Sequence, residues 1–248
     1  MRATEPLGPR PALAAAFRWA ARLDMHEAVA NHFSLAVNPA GTRFLINPKH
    51  VHFSRVTASS LLEIDAEDPA TLERPDAPEE TAWGLHGAIH RLCPHARCAM
   101  HVHSPYATAL ACLADPTLPP LDQNAAMFHG HIAYDLHYGG LALGEEAERA
   151  CTAMQDPTKT ILVMGNHGVM AVGETVAQTF NRLYFFERAA RTYLLALASG
   201  RPLRVLDEAV ATKTAAEMED DGGPESFAVA HFRELCAILD SEGSDYAA

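Results

Sequence analysis

Residues 98–110 read CAMHVHSPYATAL. An apolar run carries His101, His103 follows one residue on, and Ser104-Pro105 opens a run of helical character. This reads as a strand passing into a helix, with Ser104 as N-cap and Pro105 at the first helical position. Residues two apart on a strand share a face, so His101 and His103 project to the same side. Two readings are open for them. They are a hydrogen-bonded pair of partly buried imidazoles, or two ligands of one metal ion that needs a third.

Working outward, ETAWGLHGAIHRLC (80–93) is a helix that Pro94 terminates. NHFSLAVNPAGTRFLINP (31–48) holds two apolar runs around Asn38-Pro39-Ala40-Gly41, a hairpin pattern, and LLEID (61–65) is a third strand. A first helix is expected from about Pro11 to Leu23, and the acidic, proline-rich residues 66–80 form a surface loop. Downstream, HIAYDLHY (131–138) alternates as a strand and GEEAERACTAMQ (144–155) is helical. TILVMGNHGVMAVG (160–173) gives two strand-like runs around Gly165-Asn166-His167-Gly168. Residues 174–200 form a long amphipathic helix closed by Gly200. Helical patches follow at 215–221 and 225–239, and the tail 241–248 is expected to be disordered. Strands and helices mix without strict βαβ order, which implies an α/β fold whose sheet is mixed or largely antiparallel, with helices on both faces.

The chain of 248 residues, 48% apolar, suits one domain with an extension from about residue 203. A net charge of −12 argues against nucleic acid and anionic membrane as partners. The five scattered cysteines form no CxxC pair, as in a reduced, cytoplasmic protein. The N-terminal MRATEPLGPRP has no apolar h-region, and no run is long enough to span a membrane, so neither a signal peptide nor a membrane helix is expected.

Gly165-Asn166-His167-Gly168, taken alone, reads as a hairpin turn whose glycines let a ligand or another chain approach closely. Together with the HxH pair it is more specific. GLHGAIHRLCPHARCAMHVHSPYATAL (84–110), ILVMGNHGVMAVGETVAQTFNRLYFFERAARTYLLAL (161–197), NHFSLAV, FLINP and ASSLLEID resemble the class II aldolase/adducin family, over roughly residues 10 to 202. The resemblance implies a three-layer α/β/α sandwich around a mainly antiparallel sheet. It implies His101, His103 and His167 as ligands of a divalent metal, zinc in first place with Mn²⁺ or Fe²⁺ as alternatives. It also implies a homotetramer with the site near a subunit interface, for which RLYFFERAARTYLLAL offers a contact.

The chain departs from the sugar-phosphate aldolases of that family at two places. Their acid/base glutamate lies four residues before a helical histidine that matches His86, and that count lands here on Ala82. Glu80, or its neighbour Glu79, takes the role if the loop shifts, while a helix N-terminus also favours acidic residues without any catalytic role. Their phosphate-binding turn is here Lys49-His50, which suits a carboxylate or phenolate reached by a longer arm. Asn31, Lys49, His50 and Tyr134 are the expected substrate contacts. His50, His129 and His131 are the expected proton donors near neutral pH, with Asp135 as a further candidate.

A divalent ion on three histidines stabilises an enolate-like charge. Without the glutamate, the expectation is a metal-dependent carbon–carbon lyase on a small, non-phosphorylated anionic substrate. It is a decarboxylase, or an aldolase with a relocated base, acting on a hydroxylated aromatic or keto carboxylic acid. Two alternatives stand: a non-haem iron oxygenase on an aromatic 2-oxo or hydroxy acid, and a non-catalytic adducin-like module.

Overall fold

A computed structural model describes residues 7–140, 143–219, 223 and 225–248. Its strands are β1 His32–Ala36, β2 Arg43–Ile46, β3 Leu62–Asp65, β4 Cys98–Val102, β5 Ile132–Asp135, β6 Ile161–Met164 and β7 Gly168–Gly173. Its α-helices are α1 Pro9–Arg22, α2 Glu80–Leu92, α3 Pro105–Ala111, α4 Gln123–Ala126, α5 Leu143–Ala153, α6 Val176–Ala198, α7 Glu208–Glu217 and α8 Phe227–Ser241. The strands form one sheet in the order β3-β2-β1-β4-β7-β6-β5, antiparallel throughout except for the parallel pair β5–β6. The α/β/α sandwich expected from the sequence is the fold observed. The helical patch expected at 215–221 is helical only to Glu217, and its last two residues lie outside the described part.

Strand alternation sorts the side chains between two layers. Phe33, Leu35, Cys98, Met100, Val102, Val169 and Ala171 face α1, α6 and α8, where the main core gathers. Phe17 of α1 stacks on Phe33 at 4.7 Å and meets Phe53 edge-on at 4.6 Å, pairs that each add about 0.5–1.5 kcal/mol beyond their buried area. Ala99, Met170 and Val172 face the other way, against Leu85 and Ile89 of α2 and Ala147 and Ala150 of α5. His101 has the parity of Ala99, and His32 and Ser34 have the parity opposite to Phe33. All three polar residues therefore lie on the α2/α5 side.

Two expectations are corrected. Ser104 occupies the N-cap position of α3 but does not cap it; its hydroxyl donates to Glu187 Oε2 at 2.6 Å. Glu187, buried on α6, does the capping by accepting from Tyr106 N at 2.9 Å and Ala107 N at 2.8 Å. The tail 241–248 is not disordered. Tyr246 is 1% exposed and anchors it, its hydroxyl donating to Asp240 at 2.9 Å. Backbone bonds from Ala58 N to Tyr246 O (2.8 Å) and Ser59 N to Ala248 O (2.9 Å) hold it against the body. Burying one aromatic ring outweighs the polar composition that suggested disorder. Among the described residues no helix is long and apolar enough to cross a membrane.

Candidate metal centre

The centre is built where β4 ends. In the β4–β7 register His101 faces Met170 and Val102 faces Val169, so the turn before β7 arrives over the end of β4. Asn166 makes that turn in the left-handed region, with φ 56°. Gly168 follows it because a Cβ there would lie 2.5 Å from Val102 O and 2.8 Å from the His103 ring. The result brings three imidazoles together, with ring centroids 5.0 Å (His101–His103), 4.8 Å (His101–His167) and 4.9 Å (His103–His167) apart. One nitrogen from each lies within 4.8 Å of the others.

The other nitrogen of each ring is already engaged. His101 Nδ1 lies 3.1 Å from Val169 O, His103 Nδ1 lies 2.8 Å from Glu27 Oε2, and His167 Nδ1 lies 2.8 Å from Glu146 Oε1. A carbonyl or carboxylate oxygen accepts, so each ring donates from Nδ1. In a neutral ring Nε2 then carries a lone pair. Burial, followed by the neighbouring imidazoles, pushes the pKa of His101 well below the usual histidine value. Burial lowers that of His103 against the pull of Glu27. His101 Nε2 and His103 Nε2 stand 3.1 Å apart with no proton to share. That donor set fits a divalent cation: three converging lone pairs, each ring oriented from behind by an oxygen, as in histidine metal sites generally.

A second group of histidines lies behind the first. His32 Nδ1 is 2.9 Å from His86 Nε2; Ser34 Oγ bonds His86 Nδ1 and lies 2.7 Å from His90 Nε2; His90 Nδ1 is 2.7 Å from Ala96 O. Ala82, Leu85, His86, Ile89 and His90 form the buried stripe of α2, at helical spacing, which is why its imidazoles meet β1. Burial lowers the pKa of both His32 and His90 to about 4 and that of His86 well below the usual value.

The three-histidine cluster opens into a cavity of about 300 Å³, whose wall includes Asn31, His32, Lys49, His50, Glu79, Ala82 and Tyr138. Asn31 Oδ1 accepts from Glu27 N (2.8 Å) and His103 N (3.3 Å), while its Nδ2 is buried without a partner. An orphaned donor in a cavity wall is a place for a ligand oxygen. Lys49 and His50 are exposed at the rim, His50 with φ 61°. Glu79 is the N-cap of α2, its Oε2 accepting from Ala82 N at 2.9 Å and from the Thr81 hydroxyl. Burial opposes its charge, but those bonds and the nearby His32 outweigh burial and hold its pKa below the usual carboxylate value.

The structure therefore gathers six expected site residues, Asn31, Lys49, His50, His101, His103 and His167. It does not bring in four others. Glu80 is exposed in the first turn of α2 and outside the cavity wall; the acidic residue there is Glu79, one position earlier, because the cap turns back over the helix end. Tyr134 packs with the core on the α1/α6 side, since strand alternation sends it through the sheet. Its neighbour Asp135 has the right parity but is paired with Arg149 at 3.0 Å. His129 and His131 lie at the far end of the sheet. β5 runs parallel to β6 with Ile132 beside Ile161 and Asp135 beside Met164, so His131 starts the strand while His167 follows its end, roughly 13 Å away at strand rise. His129 pairs with Glu208 at 2.9 Å and His131 bonds Thr158 O at 2.7 Å. Sequence reasoning missed Glu27, Glu146, His32 and Tyr138. Of these His32 alone carried a signal, its place directly after Asn31 on the polar face of β1.

Residues 11–194 match the family model for the Class II Aldolase and Adducin N-terminal domain. The chain belongs to that family. An aldolase II superfamily protein from Pseudomonas syringae superposes with a TM-score of 0.84 at 28% identity, covering 96% of this chain and 94% of its own. L-fuculose 1-phosphate aldolase from Glaciozyma antarctica PI12 shares the fold, with a TM-score of 0.81 at 23% identity and coverage of 97% and 92%. Rat β-adducin is 33% identical over 171 residues, 68% of this chain but only 23% of its own length. The chain thus spans about a quarter of that protein.

Proposed function

We propose that this chain is a metal-dependent carbon–carbon lyase on a small anionic substrate without phosphate. It acts as a decarboxylase, or as an aldolase with a relocated base, on a hydroxylated aromatic or keto carboxylic acid. The observation that carries the reading is the three-imidazole cluster, with every Nδ1 proton committed outward and every lone pair turned inward. His101, His103 and His167 would hold a divalent ion, zinc in first place, which would supply Lewis-acid stabilisation of negative charge on a substrate oxygen.

The chain's own residues supply the rest. The buried Asn31 amide donates to a substrate oxygen, and Lys49 and His50 at the rim attract a carboxylate. Ala82, 2% exposed in the cavity wall at the position matching the aldolase glutamate, moves no proton. Glu79 is near, but its Oε2 is spent on capping and its charge is stabilised, which makes it a weak base. Decarboxylation needs no base for a hydroxyl proton, so this arrangement favours it over aldol cleavage. We also retain the homotetramer, supported by Leu195 and Leu197 near the end of α6, which are 57% and 42% exposed.

The test is turnover by zinc-loaded protein of a panel of hydroxylated aromatic acids, keto acids and ketose phosphates. Release of CO₂ from a carboxylic acid is expected, and efficient cleavage of a ketose phosphate would overturn the reading. The similarity to β-adducin favours one other reading, a non-catalytic module. A folded protein that takes up no zinc would support that instead.

A further inference from the structure

Helices α2 and α5 meet along apolar stripes. Leu85, Ile89 and Cys93 recur every fourth residue on one side, and Ala147, Ala150, Cys151 and Met154 line the other, all within one buried cluster. Each stripe carries one cysteine, and the packing sets the two together. Cys93 is the C-cap of α2, and its thiol donates to Cys151 O at 3.9 Å. The thiols also bond each other. That contact lowers the pKa of Cys93 against its burial; the same contact, together with burial, raises that of Cys151. Cys93 is therefore the sulfur that ionises first, and the thiolate is the reactive form.

Neither thiol lines the cavity, so neither is committed to the site already described. Cys93 is buried, but α2 ends beside it. Leu92 is 61% exposed and Pro94 is exposed, so a local opening of the last turn admits a molecule little larger than water. The neighbours Ala147, Ala150 and Met154 are small or pliable, which leaves the sulfurs room to close to the bonding distance of about 2 Å.

We propose that Cys93 and Cys151 form a reversible disulfide when the protein meets a peroxide, clamping α2 to α5. The Cys93 thiolate attacks one peroxide oxygen, the O–O bond breaks, and the other oxygen leaves as water once protonated, giving a sulfenic acid. The Cys151 sulfur then attacks that sulfur, the S–S bond forms, the S–O bond breaks, and a second water leaves with the Cys151 proton. The two thiols lose two electrons and the peroxide gains them. Ala82 and Leu85 of α2 and Glu146 of α5 all line the cavity, so the clamp joins two of its walls. The inference rests on the packing of these helices and holds with or without a metal.

Tryptic peptides read the pair directly, because residues 92–97 carry Cys93 alone and 150–159 carry Cys151 alone. Reduced protein is treated with hydrogen peroxide, its remaining thiols are blocked with N-ethylmaleimide, and it is digested without reductant. Peptides 92–97 and 150–159 should appear linked, and dithiothreitol should separate them. Recovery of both as blocked thiols, in protein whose exposed Cys112 is already oxidised, would overturn the proposal. Sulfinic acid at Cys93 with Cys151 still free would do the same. The clamp is read by melting temperature in Cys112→Ser protein, which cannot link chains through its exposed thiol. Peroxide should raise it by about 5 °C, dithiothreitol should reverse the rise, and adding Cys151→Ser should abolish it. A linked protein whose melting temperature stays level or falls would show that the bond strains the helices, and would contradict the clamp.

Discussion

At the scale of single residues, the centre depends on atoms that face away from it. His167 Nδ1 donates to Glu146, whose side chain is 12% exposed, and that bond fixes which nitrogen turns inward. Removing such an outer partner typically costs 10–100-fold in metal affinity. Glu146→Ala should therefore weaken zinc binding by about that factor in a chelator competition titration; unchanged affinity would show that the ring is oriented by packing alone. His90 gives a second expectation. Its folded pKa of about 4 lies below that of an exposed histidine, near 6.5, so between those values the unfolded chain binds more protons and stability rises with pH. In zinc-free protein the unfolding free energy should be fully present above pH 6.5 and fall as pH drops toward 4. This one group contributes roughly 3 kcal/mol. Urea titrations across that range check it, and a flat profile would mean that His90 protonates in place.

At the scale of elements, alternation and register explain both what was legible and what was not. His101 and His103 share a face by strand spacing, and the turn holding His167 broke an otherwise apolar run, so the three ligands stood out in the sequence. Tyr134 packs on the core side, a face that the sequence does not give because it depends on which side of β5 meets the core. His129 and His131 lie away from the three-histidine cluster, because an HxH spacing does not say which end of a strand it occupies and the parallel β5–β6 pairing puts it at the other end. Glu27 and Glu146 carry no local pattern; only tertiary placement turns a surface carboxylate into a histidine partner. Glu187 is a similar case, an acid on α6 that caps α3 across 80 residues of chain. Glu187→Ala would strand two buried donors, Ser104 Oγ and Ala107 N, at about 1–3 kcal/mol each before relaxation, and the half-buried Tyr106 N. A loss of about 3 kcal/mol or more in urea unfolding is expected, and a loss below 1 kcal/mol would mean that Ser104 recaps the helix.

At the scale of the molecule, the sheet serves as a partition. One side holds the aromatic core and the C-terminal helix, with Trp19 Nε1 of α1 donating to Leu235 O of α8 at 2.9 Å. The other side holds the imidazoles and the cavity under α2 and α5. The fold class was legible from the order of elements and the family motifs, whereas the packed tail was not, because a single buried ring, Tyr246, decides it. The exposed leucines at the end of α6 lead us to expect a tetramer in light scattering at micromolar concentration. A monomer would remove the subunit interface from the account. The most direct test of the central claim is zinc stoichiometry in the wild type and in three single variants, His101→Ala, His103→Ala and His167→Ala, each checked for folding by circular dichroism. The account predicts one zinc per wild-type chain and a large loss of bound zinc in every variant; a folded His167→Ala protein that keeps a full equivalent of zinc would contradict it.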